Sequence, residues 1–128
     1  MTTAISTQRI WRFPRVPLTA NQRMRMHWAK RGREAAVWRS LVLCICGLPR
    51  FGDVIGRIRL RVEMCRQGTR LQDPDNRASS VKPLLDALVK AGWLYDDDGK
   101  HLELSVTEVK GKVPETVVTW ERVEEETP

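Results

Sequence analysis

Residues 57–65 read RIRLRVEMC, and apolar and charged side chains alternate through them without a break. Ile58, Leu60, Val62 and Met64 fall on one side; Arg57, Arg59, Arg61 and Glu63 fall on the other. A period of two is the signature of extended chain, and one apolar edge beside one charged edge predicts a half-buried strand with a basic outer face. Upstream, Trp28, Ala35, Trp38, Val42 and Ile45 recur near the helical repeat, which predicts a helix over about 27–47 ended by Gly47 and Pro49. Earlier still, RIWRF (9–13) reads as a short strand leading into the proline-punctuated loop PRVPLTANQ (14–22). Downstream, Val81, Leu84, Leu85, Leu88 and Val89 share a stripe, and Gly92 marks the end of that second helix. HLELSV (101–106) and ETVVTWERV (115–123) alternate again, with a turn at KGKVP (110–114) through which they are expected to pair. The order β-α-β-α-β-β predicts an α/β fold, a mixed sheet with two helices packed on one face. No repeat or linker divides the chain, so residues 1–128 are expected to form a single domain with a frayed acidic tail at 124–128.

Composition narrows the function classes. A hydrophobic content of 41% fits a folded chain rather than a disordered one. The first residues, MTTAISTQRIWRF, lack the basic and long apolar regions of a secretory signal, and LVLCIC (41–46) is far too short to span a bilayer. The expectation is a soluble cytoplasmic protein with no membrane association. Cys44, Cys46 and Cys65 form an odd set without C-x-x-C spacing; Cys44 and Cys46, inside the apolar run, are expected to be buried thiols. His27 and His101 are too few to complete a zinc site and read as residues that satisfy loops or cap ends. Trp28, Trp38, Trp93 and Trp120 read as core or dimer interface rather than as platforms for bases.

The charge is unevenly spread. Residues 1–72 carry 15 Lys/Arg against 3 Asp/Glu, a balance of +12, whereas residues 73–128 carry 7 against 13, a balance of −6. A strongly basic half points to a polyanion, most simply nucleic acid. Arg23, Arg25, Lys30 and Arg31 cluster with no apolar reason to do so and are candidate phosphate contacts, joined by Arg70 and Arg77 closer to the acids.

Those acids flank the second helix. Asp73 and Asp75 precede it, Asn76 offers an N-cap, and Asp96, Asp97 and Asp98 follow it. Like charges disfavour one another's ionised state, so such clusters call for a cation or a partner. A helix of about 17 residues is a rod of roughly 25 Å, which keeps the two ends apart. Either the helix begins later, at Ser79 or Ser80 with Pro83 in its first turn, and the exit loop folds back, or two subunits bring their acids together. A turn with ordinary helix capping is the plain alternative for Asp73 and Asp75. An EF-hand is excluded, because the sixth and twelfth positions from Asp73 are Ala78 and Leu84. RQGTRLQ before Asp73 is no apolar strand, which argues against a phosphatase-type nucleophile. Asp86 lies four residues from Lys82 and Lys90 and reads as part of an ion-pair ladder.

The string DPDN…VKPLLDALVKAGWLYDD resembles the RusA family of Holliday-junction resolvases, dimeric endodeoxyribonucleases. Asp73, Asp75 and Asn76 match its D-x-D-N, Lys82 precedes Asp86-Ala87-Leu88, and Gly92 leads to Asp96-Asp97. The match covers about residues 73–97, with a weaker likeness in PLTANQRMRMHW (17–28). It implies that Asp73, Asp75 and Asp97 hold Mg²⁺, with Mn²⁺ as a substitute, and that Lys82 assists at the scissile phosphate. It further implies a homodimer acting on four-way DNA junctions by paired symmetric nicks. Carboxylate-held Mg²⁺ suits phosphodiester hydrolysis on general grounds. One departure stands out: the lysine follows the second aspartate by four residues in the best-known members, but Lys82 follows Asp75 by seven. A second departure is TRLQ (69–72) before Asp73, where the family often places denser basic residues; Arg70 and Arg66 are the candidates to substitute for them. A branched-DNA-binding protein without catalysis is the alternative.

Overall fold

In the computed structural model, which describes residues 8–50, 56–68 and 71–123, the alternation at 57–65 becomes a strand, Arg57–Arg66. Ile58, Leu60, Val62 and Met64 are all buried. In chain order the elements are β1 (Gln8–Phe13), α1 (Ala20–Met24), α2 (Trp28–Ile45), β2 (Arg57–Arg66), α3 (Pro74–Ser80), α4 (Lys82–Ala91), β3 (Leu102–Lys110) and β4 (Glu115–Val123). The fold is mixed α/β. Arg70 and the tail at 124–128 lie outside the described residues.

The four strands run in the order β1-β4-β2-β3. β4 is antiparallel to both β1 and β2, while β2 and β3 are parallel and joined through α3 and α4. The expected hairpin between β3 and β4 does not form, because β2 lies between them. The connection Gly111–Pro114 must cross two strand spacings, on the order of 10 Å, within the reach of four residues. It does so by passing over the end of β2: the Gly111 amide donates to the Arg66 carbonyl at 3.1 Å. A Cβ on Gly111 would collide with the Cys65 sulfur, so a larger residue at this crossing would force the Cys65 side chain to move.

One sheet face carries the core. Trp11 and Phe13 of β1, Val118 and Trp120 of β4 and the apolar row of β2 meet Trp38 and Val42 of α2 and Leu84, Leu85 and Leu88 of α4. Trp11, Trp93 and Trp120 form an aromatic knot: Trp93 stands edge-on to both partners, at centroid distances of 5.0 Å and 5.4 Å. The indole of Trp120 donates to the Trp93 carbonyl and that of Trp93 to the Gly47 carbonyl, so the buried N–H groups of this pair are satisfied. On the opposite face Arg59 of β2 meets acids from both neighbouring strands. Arg59 bridges Glu121 at 2.8 Å and Glu103 at 3.4 Å.

Three expectations are corrected by helix geometry. Trp28 is 74% exposed: it lies ten residues before Trp38, roughly 80° off the buried stripe, with its ring against His27. Cys44 is exposed as well, six residues beyond Trp38 and roughly 120° round the helix. Cys46 is the partly buried one, and burial pushes its thiol up to about 12. The second helix is two helices, and a short α1 with a Thr19/Gln22 capping box occupies the supposed N-terminal loop. Among the described residues no helix is long and apolar enough to cross a membrane.

Candidate active site

The first acids sit at the start of α3. Asp73, not Asn76, is the N-cap: its Oδ1 accepts the Asn76 amide at 2.9 Å and its Oδ2 the Asn76 side-chain amide at 3.3 Å. Pro74 follows in the first helical position, where its missing N–H costs nothing. Asp75 is exposed in the first turn, favourably placed against the helix dipole.

Pro83 explains why α3 does not continue as one rod. Within a longer helix it would lack an N–H for the Ser79 carbonyl and its ring would crowd that carbonyl. The chain breaks at Val81 instead, the Val81 amide turns to Ser79, and α4 restarts with Pro83 in its first turn. Leu84, Leu85, Ala87 and Leu88 then face the core, leaving Lys82, Asp86 and Lys90 outside.

The far end of α4 turns the chain back. Gly92 adopts a left-handed conformation (φ 93°), with its amide on Val89 and that of Trp93 on Leu88, the paired bonds of a Schellman cap. Trp93 and Leu94 are buried, which anchors the returning segment in the core. Asp97 thereby reaches the start of α4, where its Oδ2 accepts a hydrogen bond from Lys82 Nζ. Asp86 Oδ1 lies 3.4 Å from the same ammonium. Of the two sequence alternatives, the shorter helix with a folded-back loop is the one seen for Asp97 and Lys82.

The three consecutive aspartates have separate tasks. Asp96 accepts the Asp97 amide at 2.7 Å. Asp97 is held below the usual carboxylate range, chiefly by its hydrogen bond from Lys82, and Lys82 is raised, chiefly by Asp97. Asp98 builds the turn into β3: it accepts the Lys100 and His101 amides and meets His101 Nδ1 at 2.7 Å, and the His101 bond lowers its carboxyl.

The basic segment borders Asp73. Arg23 donates to Ser79 of α3 at 3.1 Å, while Arg25, Lys30 and Arg31 are exposed; Arg77, on α3, is half-buried. A cleft of about 590 Å³, lined by Thr19, Asn21, Leu71, Gln72, Asp73 and Asn76, opens between α1 and α3. Arg66 does not face it as a free cation. Its side chain is 13% exposed, donates to Glu108 at 3.0 Å and to the Pro17 carbonyl at 2.8 Å, and so is spent inside the protein. Glu108 was not singled out by motif. Its signal was a carboxylate in phase with the apolar positions of β3.

The donor chemistry of Asp73, Asp75 and Asp97 suits Mg²⁺, a hard cation that takes oxygen ligands and keeps several waters. Among the described residues, however, no three His, Cys, Asp or Glu side chains stand close enough together to hold a metal ion. The structure thus brings Asp97 to Lys82 but does not bring the three carboxylates into one group. No protein-family model matches the chain, and no curated protein is significantly similar to it.

Proposed function

We propose that this chain is a Mg²⁺-dependent, structure-selective endodeoxyribonuclease that resolves four-way DNA junctions by paired symmetric nicks. The observation that carries the reading is the return of the chain after Gly92, which sets Asp97 on Lys82 at the head of α4. Two motif elements 15 residues apart in sequence are in contact, as a shared site requires. Asp73, Asp75 and Asp97 would hold Mg²⁺, or Mn²⁺ in its place. When bound, the cation supplies an activated water and compensates charge on the phosphate. Lys82 holds Asp97 below the usual carboxylate range and would present a half-exposed ammonium to a phosphate oxygen. Arg23, Arg25, Lys30, Arg31, Arg70 and Arg77 would contact the backbone, positioning DNA without reading its sequence.

The resemblance further suggests a homodimer, and the cytoplasm is the location expected from the sequence. A two-fold assembly would present one site to each of two opposed strands of a junction. The separation of the three carboxylates favours a second reading, a branched-DNA-binding protein that does not cut.

One experiment separates them. A labelled four-way junction and a matched linear duplex are incubated with the protein in Mg²⁺ or EDTA, alongside Asp73→Asn. Asparagine caps a helix as well as aspartate does, so this variant removes the charge and keeps α3. Paired nicks confined to the junction, absent with EDTA and in Asp73→Asn while binding persists, support the nuclease. Junction binding without nicks supports the second reading, and normal cleavage by Asp73→Asn would show the site to be wrong.

A further inference from the structure

Glu108 occupies a place where the alternation of β3 calls for an apolar side chain. It follows Leu102, Leu104 and Val106 in phase and pairs in register with buried Met64 of β2. Its side chain is fully buried. A carboxylate in such a place persists only when its lone pairs are taken up. Three donors do this: the Gln72 amide at 2.6 Å, the Gln72 side-chain nitrogen at 2.8 Å and Arg66 Nε at 3.0 Å. Burial pushes the carboxyl up, but these bonds outweigh it and hold the group below its ordinary range.

Gln72 passes the restraint on. Its side-chain nitrogen also reaches Ser80 Oγ at 3.3 Å, and its Oε1 accepts the Ala20 amide at 3.1 Å. One glutamine therefore joins β3, the last residue of α3 and the first residue of α1. It also directly precedes Asp73, whose carboxylate caps α3. The cleft between α1 and α3 has Gln72 in its wall, with Asn21 and Asp73 beside it.

We propose that Glu108 is a positioning residue, which through Gln72 fixes the place of Asp73 and, through the same side chain, the spacing between Asp73 and helix α1. Its consequence for metal and DNA rests on the nuclease reading above. A carboxylate serves here because it only accepts; a glutamine at 108 would turn an NH₂ group toward the donors of Gln72 or Arg66. Partners hydrogen-bonded directly to a metal ligand typically change metal affinity by about 10–100-fold when mutated; Glu108 acts one residue further out, through Gln72, so the low end of that range is expected.

Two variants and two readouts test this. Glu108→Gln keeps shape but mismatches donors. Gln72→Ala leaves the Glu108–Arg66 pair and the backbone bond in place, and so guards against an unfolded first variant. Amide exchange by NMR is measured at Asn76, which reports the Asp73 cap, at Ala20, and at Leu88 in α4 as reference. Expected is selective acceleration at Asn76 in both variants, and at Ala20 in Glu108→Gln, beyond any change at Leu88. The Mg²⁺ midpoint for junction cleavage should rise about tenfold with the rate at saturating metal retained. Uniform acceleration across all three amides, or an unchanged midpoint in folded variants, overturns the proposal. If the wild-type protein never nicks a junction, the nuclease reading fails, and exchange at Asn76 alone decides whether Glu108 positions Asp73.

Discussion

At the scale of single residues, the contact between Lys82 and Asp97 is the feature most open to direct test. Asp97 is held low mainly by the lysine, so Lys82→Met should let its carboxyl rise toward the ordinary range. Carbon-detected NMR titration of the Asp97 side chain would show this, and an unchanged midpoint would refute the pairing. The linked stability has a definite sign. With the folded value depressed, the contribution is present above the unfolded aspartate value near 3.9 and fades as pH falls through the folded one. Lys82 is half exposed, so the pair is worth at most about 1 kcal/mol. Some single residues were readable in advance and some were not. His27 caps α2, in keeping with its reading as a residue that satisfies loops or caps ends. Read by residue type, Asn76 is the natural cap, yet Asp73 holds that place, and a proline directly after an aspartate is itself a helix-start signal. Glu108 escaped because no motif surrounds it; only its phase within an apolar row betrays it.

At the scale of elements, alternation predicted which faces of the strands are buried but not which strands are neighbours. HLELSV and ETVVTWERV look like a hairpin because their faces are compatible, and face compatibility holds equally for β4 beside β2. What distinguishes the two arrangements is the crossing at Gly111, a tertiary constraint with no local pattern. Gly111→Ala should lower stability by about 1–3 kcal/mol through overpacking against Cys65. Cys65→Ala in the same chain should restore most of the loss. Urea unfolding of the single and double variants measures both, and an additive result would place the strain elsewhere. The helices were more legible. Leu84, Leu85 and Leu88 share the buried face, and Pro83 does fall in the first turn of α4, but the helix starts from Val81 with no side-chain cap rather than from Ser79 or Ser80, which still belong to α3. The short α1 was missed although Thr19 and Gln22 form a capping box, a signal present in the sequence.

Across the whole molecule, some cations of the basic half are offset by acids and others are not. On the helix-free sheet face Arg59 is offset by Glu103 and Glu121, and Arg12 by Glu115 at 2.8 Å. Among the described residues, Arg25, Lys30 and Arg31 enter no such ion pair and stand exposed near α1 and the start of α2. Composition revealed the excess of positive charge; only the fold separates cations already neutralised from those free to meet phosphate. On the proposed reading, junction binding should therefore weaken steeply with salt. Replacing Arg25 or Arg31 by alanine should each reduce the slope of log affinity against log salt by about 1, whereas Arg59→Ala should leave it unchanged. Fluorescence anisotropy at several salt concentrations would read these slopes, and equal effects at all three positions would refute the division.

The strand order also governs how the molecule can be made. β1 is an edge strand whose only described neighbour is β4, and Gln8 pairs with Glu121. While the ribosome is still extending the chain, β1 has no ladder to join, and the apolar row of β2 lacks one flank until residue 123 has emerged. The sheet is thus completed by insertion of a late strand into its interior, a closure across more than a hundred residues that slows folding. Nascent chains stalled before residue 115 should be held open for chaperones and proteases, and productive collapse should begin only after β4 is free.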